Sequence, residues 1–65
     1  MALYEIEKIR RDKRVTNHEV HFSANNHYHR VLFENGIAYT DSDEVVDYFR
    51  GRNSMSVEFE IHKIG

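Results

Sequence analysis

Cysteine, proline and tryptophan are absent from this chain of 65 residues, and glycine occurs only three times. Without cysteine there is no disulfide and no thiolate metal site, a composition compatible with a reducing compartment. Without proline, and with no low-complexity tract or internal repeat, nothing divides the chain, which reads as a single domain spanning residues 1–65. Glycine stands only at positions 36, 51 and 65, so no glycine-rich loop cradles a phosphate. No apolar run approaches the ~18 residues of a membrane span, and the first residues lack the apolar core of a signal peptide. Positive charge is also short. The formal charge is −2, whereas a dedicated nucleic-acid binder carries a clear basic excess. The expectation is a soluble protein of a cell interior or of a particle assembled there. A chain this short buries only ~60% of the surface its unfolded form exposes. With disulfides closed to it, a metal or association is the remaining support for so small a core.

What is there is concentrated in residues 31–61. Asn35-Gly36 lies between two apolar runs, and this pair accepts the positive φ angles of a type I′ hairpin turn. Thr40 and Asp41 each have an acid three residues on, Asp43 and Glu44, which reads as a helix start. Val45, Val46, Tyr48 and Phe49 recur at helical spacing, and Gly51 suits a left-handed cap. Met55, Val57, Phe59 and Ile61 then alternate with Ser56, Glu58, Glu60 and His62, the period of a half-buried strand. The spacing predicts hairpin, helix over about 42–50, and strand.

Earlier residues are less decided. Leu3, Ile6 and Ile9 have helical spacing among good helix formers, yet Tyr4-Glu5-Ile6-Glu7 alternates. A strand is the favoured reading, turning at Arg11-Asp12-Lys13 to pair with a strand over Val15–Phe22. Ser23-Ala24-Asn25-Asn26 has the composition of a loop, and His27 begins the strand that leads to Asn35-Gly36. The fold expected is α+β: a small antiparallel sheet of four to five strands, with one short helix between the last two.

A two-residue turn at Asn35-Gly36 sets Glu34 opposite Ile37, Phe33 opposite Ala38, Leu32 opposite Tyr39 and Val31 opposite Thr40. One face then carries Val31, Phe33 and Ala38, and the other carries Tyr28, Leu32, Ile37 and Tyr39. A single helix covers one face. Either the N-terminal hairpin folds over the second, or another polypeptide does. Charge is grouped as well, with Arg10, Arg11, Lys13 and Arg14 in a basic knot and Asp41, Asp43, Glu44 and Asp47 in an acidic one. These are a solvated turn and a capped helix, or complementary patches that steer association.

Signals for chemistry are thin. His27-Tyr28-His29, with Glu34 five residues beyond, matches a fragment of the first cupin motif. The flanking glycines are replaced by His21 and Asp41, the second motif is missing, and strand alternation puts Glu34 on the face opposite the two histidines. Two histidines do not close a metal site, and His18 and His21 point to opposite faces, so no metal or other cofactor is assigned. Ser23, Ser42, Ser54 and Ser56 lack a nucleophile elbow. Glu58 and Glu60 share a strand face that alternation turns to solvent, without the cleft that would shift their pKa values apart. Nothing marks an enzyme or a small-molecule substrate. Phe22 with Tyr28, His29 and Arg30 offers aromatic and basic groups that could stack unpaired bases, but the acidic total weakens the electrostatic part of such binding.

The stretch V-L-F-E-N-G-I-A-Y-T-D-S-D-E-V-V-D-Y-F-R-G resembles a recurring segment of small bacteriophage and prophage proteins, matched at Phe33, Gly36, Ala38, Thr40, Asp41, Asp43, Val46, Tyr48 and Phe49. With the final strand, the resemblance spans residues 31–61. It implies a non-enzymatic virion accessory, associated with capsid, connector or tail, that works by contact with itself or with other virion proteins. Its location would be the virion or the host cytoplasm. The residues expected to carry contact are Tyr28, Leu32, Ile37 and Tyr39 with Arg10, Arg11, Lys13 and Arg14. Two other readings stay open, a small single-strand nucleic-acid binder and a phage-encoded inhibitor of a host protein.

Overall fold

The computed structural model describes residues 2–14 and 17–65. Its elements are β1 (Tyr4–Arg10), β2 (His18–Ala24), β3 (His27–Phe33), β4 (Ile37–Thr40), α1 (Asp43–Arg50) and β5 (Val57–Lys63). The class is α+β with antiparallel strands and one short helix, as the sequence predicts. The strands do not form one sheet, however. They divide into a three-stranded sheet of order β4-β1-β5 and a two-stranded sheet of β2 and β3.

The N-terminal segment is a strand, but its neighbours differ from those expected. β1 pairs with β4, setting Ile6 opposite Ala38, and with β5, setting Ile6 opposite Ile61. It makes no ladder with β2, although a turn does follow it, with Lys13 at φ 58 and its N–H on Arg10 O at 2.9 Å. Local turn chemistry shows that the chain bends there; it does not show which distant strands take the two edges of β1. Val15 and Thr16, the expected start of β2, lie outside the described residues.

β2 runs further than its composition suggests. Ser23 and Ala24 belong to the strand, and only Asn25 and Asn26 turn, at φ 51 and 66. This is a second two-residue hairpin, built on the tolerance of asparagine for positive φ. Asn35 and Gly36, at φ 54 and 80, make the expected one. That hairpin closes on Glu34 and Ile37 and then parts, because β3 pairs with β2 and β4 with β1. The expected partners Leu32 and Tyr39, and Val31 and Thr40, form no ladder.

Helix α1 begins one residue later than predicted, at Asp43. Its cap is Ser42, whose hydroxyl accepts from Val45 N at 3.5 Å, rather than Thr40 or Asp41. Thr40 Oγ1 instead accepts from Ser42 N at 3.1 Å, bracing the link from β4. Gly51 has φ −102, so the expected left-handed cap is not used. Met55, expected in the last strand, lies outside it and is 89% exposed.

α1 packs its Val45, Val46 and Phe49 face onto both sheets. The core holds Ile6, Val31, Phe33, Ala38, Val45 and Phe49, with half-buried Val20, Phe22, Tyr48, Phe59 and Ile61 against it. Phe33, Phe49 and Phe59 meet at centroid distances of 4.9 to 5.9 Å, tying β3, α1 and β5 together. Phe22 stacks on Tyr48 at 3.7 Å, which fastens the β2–β3 hairpin to the helix.

Candidate interaction surface

Alternation along β3 sends Val31 and Phe33 into the core and leaves Tyr28 and Leu32 outside, 66% and 46% exposed. β4 does the same, burying Ala38 and leaving Tyr39 60% exposed, with Ile37 half-buried. Among the described residues no N-terminal hairpin covers this face, because β1 lies beside β4 as the central strand of the three-stranded sheet. Leu32, Ile37 and Tyr39 come together on the walls of a cleft of about 680 Å³ between the parted strands. Val31, Ala38 and Val45 line its inner side, and Asp41 and Ser42 lie at its wide end. Tyr28 lies farther along β3, outside this lining.

The basic residues gather elsewhere. Lys8, Arg10, Lys13 and Arg14 line a hollow of about 190 Å³ beside the Asn35-Gly36 turn, while Arg11 is exposed outside it. Asp12 partly neutralises this group, reaching Arg10 at 3.3 Å and Arg14 at 3.9 Å. The Asp12 carboxyl is held below its ordinary value, chiefly by the backbone N–H of Arg14 and then by the Arg10 side chain. Burial lowers the pKa of Lys8, and the like charge of Arg10 lowers it further. Asn35 lines both the cleft and the basic hollow, so the two candidate surfaces adjoin at the turn.

Glu44, legible in the sequence as an acid of the helix start, has a second role that the sequence does not reveal. From the first turn of α1 its carboxylate accepts from His29 Nε2 at 2.8 Å and from His27 Nδ1 at 3.1 Å. A carboxylate only accepts, so both ring nitrogens that face it are the donors. Glu34, the acid that the cupin fragment would select, does not take this role. The two histidines share a face as strand alternation requires, but only the tertiary fold supplies the acid 15 and 17 residues on.

The outer face of β2 and β3 carries a polar set. Glu19 bonds Arg30 at 2.8 Å and also His21, whose other nitrogen meets the Tyr28 hydroxyl. Arg30 and then His21 hold the Glu19 carboxyl low. On the outer face of the other sheet, Glu7, Glu60 and His62 bring donor atoms within 4.8 Å of one another. These are half-buried or exposed groups on a sheet face. Searches against protein-family models, curated proteins and solved structures find no match for this chain.

Proposed function

We propose that this chain is a non-enzymatic component of a larger assembly, of the virion-accessory kind, acting through contact with its own copies or with other virion proteins. The observation that carries the reading is the exposure of Leu32 and Tyr39 beside an open cleft, with Tyr28 farther along the same side. Fully burying one large apolar side chain is worth ~1.5–3 kcal/mol, against a total domain stability of only ~5–15 kcal/mol. Leaving such residues in water forgoes a sizeable fraction of the margin of a 65-residue chain. The helix spends its apolar face on the core, so the cover for this side comes from another polypeptide. The basic hollow beside the turn and the acidic side chains of Glu5, Glu7, Glu58 and Glu60 on the outer sheet face give such contacts a polarity.

The single-strand nucleic-acid reading draws less support. Phe22 is stacked on Tyr48 rather than open to a base, and Arg30 is engaged by Glu19. An inhibitor of a host protein would use the same contact surface.

Light scattering across a dilution series tests the proposal, with Leu32→Asp as the variant. Association that falls apart on dilution, and is lost in Leu32→Asp while the circular dichroism stays native, is the expected result. A monodisperse wild-type monomer at high concentration, together with absence of the chain from a purified particle by mass spectrometry, would overturn it.

A further inference from the structure

We infer that the cleft between β3 and β4 takes an extended peptide segment of another polypeptide as an added strand. The inference rests on the contact reading above and specifies its mode. Glu34 and Ile37 exchange both backbone hydrogen bonds, Glu34 N to Ile37 O at 2.9 Å and Ile37 N to Glu34 O at 3.0 Å. In an antiparallel pair the bonding direction repeats every second residue. Leu32 and Arg30 on β3, and Tyr39 on β4, therefore turn their backbone N–H and C=O groups the same way, into the cleft. The opposite side of β4 is taken, as Gly36 O accepting from Lys8 N at 2.7 Å and the β1 ladder show. Among the described residues, no turn, loop or side-chain acceptor engages the N–H of Arg30, Leu32 or Tyr39, and the registers of β3 with β2 and of β4 with β1 turn these groups away from their ladder partners. Two open strand edges thus face each other across about 680 Å³. The ligand chemistry that matches rows of alternating donors and acceptors is another extended backbone.

The other edges are treated differently. On β5, Asn53 Oδ1 accepts from Phe59 N at 2.8 Å and Ser54 Oγ from Val57 N at 3.3 Å, so side chains cap the first half of that edge, and Phe59 and Ile61 are already packed on the core. β2 has an open outer edge, but its apolar Val20 and Phe22 are already packed on the core. A second copy therefore offers no strand with a spare apolar face, although copies of this chain can still meet through the exposed side chains of Leu32 and Tyr39. The occupant of the cleft thus comes from a different protein. Its inward residues are apolar and small, to lie over Val31, Ala38 and Val45, and its outward residues pass between Leu32 and Tyr39. Because β3 and β4 run in opposite directions, the added strand is antiparallel to one and parallel to the other. The cleft narrows to the turn, and β4 has four residues, so the bound segment is short. Where it reaches the turn it meets the hollow lined by Lys8, Arg10, Lys13 and Arg14 together with Glu7, whose excess of cations favours acidic side chains at that end.

The test uses the full chain and capped peptides of alternating valine and threonine, with two aspartates at either the first or the last positions, followed by amide hydrogen exchange. One of the two peptides at millimolar concentration should slow exchange at Arg30, Leu32 and Tyr39 by at least about tenfold. The amides of Glu19, His21 and Ser23, on the outer edge of β2, should not change. N-methylation of alternate peptide nitrogens should remove the effect, and lysines in place of the aspartates should weaken it. Unchanged exchange with both peptides, or protection at the β2 edge instead, would overturn the inference. So would concentration-dependent protection of the same three amides without peptide, which would place a second copy in the cleft. Association lost in Leu32→Asp but without protection of these amides would leave the contact reading standing and remove the strand mode. Protection by peptide in a chain that joins no assembly would do the reverse.

Discussion

At the scale of single residues, Glu44 is where local chemistry and tertiary structure meet. Its carboxyl is held below the ordinary 4.5, first by the hydrogen bond from His29 and then by that from His27. A group whose folded-state pKa is depressed contributes stability that is complete above its unfolded pKa and is lost as the pH falls through the folded one. Glu19, held down by Arg30 and His21, and Asp12, held down by the Arg14 amide and Arg10, have the same sign. The protein should therefore lose stability below about pH 4.5, and Glu44→Gln should flatten part of that loss. Thermal midpoints of both proteins between neutral pH and about pH 3 check this; parallel curves would contradict it. Phe33 is the opposite kind of residue, apolar and fully buried between Phe49 and Phe59. Phe33→Ala should cost ~3–5 kcal/mol, comparable with the roughly 3–10 kcal/mol expected of 65 residues at ~0.05–0.15 kcal/mol each. Urea denaturation should show a midpoint lowered by about a third or more, or no cooperative transition.

At the scale of elements, glycine separates what the sequence can reveal from what it cannot. Gly36 was legible as a turn residue because Asn-Gly between apolar runs has a specific conformational reason, and its φ is +80. A Cβ there would also stand 3.3 Å from Lys8 O, so Gly36→Ala should cost ~1–2 kcal/mol from the left-handed backbone alone. Gly51 invited a similar reading, yet its φ is negative and a Cβ would meet nothing within 4 Å. Gly51→Ala should be neutral or stabilise by ~0.4–1 kcal/mol through the unfolded chain. Thermal melts of the two variants should move in opposite directions, and a destabilised Gly51→Ala would refute the distinction. The strands and the helix were readable for the same reason as Gly36: alternation and 3.6-residue spacing are local. Which side of β3 and β4 is buried was readable too. Strand partnership was not, because β1 takes both its neighbours from beyond residue 36. The carboxylate bridging His27 and His29 was hidden for that reason as well. The Asn25-Asn26 hairpin was missed because its asparagines were read as loop composition rather than as two residues at positive φ.

At the scale of the whole molecule, the split sheet implies two levels of stability. β1 has ladders on both sides, with β4 and β5, and its Ile6 is fully buried beneath α1. Opening β1 therefore dismantles the three-stranded sheet and exposes the centre of the core. Among the described residues β2 has only β3 as a neighbour, and it contributes half-buried Val20 and Phe22. Lifting β2 breaks one ladder and the Phe22–Tyr48 stack but leaves Ile6, Ala38 and Phe49 in place. Amides exchange through the least costly opening that frees them, so elements with fewer supports exchange sooner. Ile6, Glu7 and Lys8 should be among the slowest amides and should follow the global stability measured with denaturant. Phe22 and Ala24 should exchange about tenfold faster or more, with a weaker denaturant dependence, because their opening exposes less surface. Equal rates with equal denaturant slopes in both groups would mean that the two sheets open as one unit although, among the described residues, the bridge at Glu34 and Ile37 alone joins them. Faster exchange in β1 than in β2 would show that the hairpin, and not the central strand, is the last part of the fold to give way.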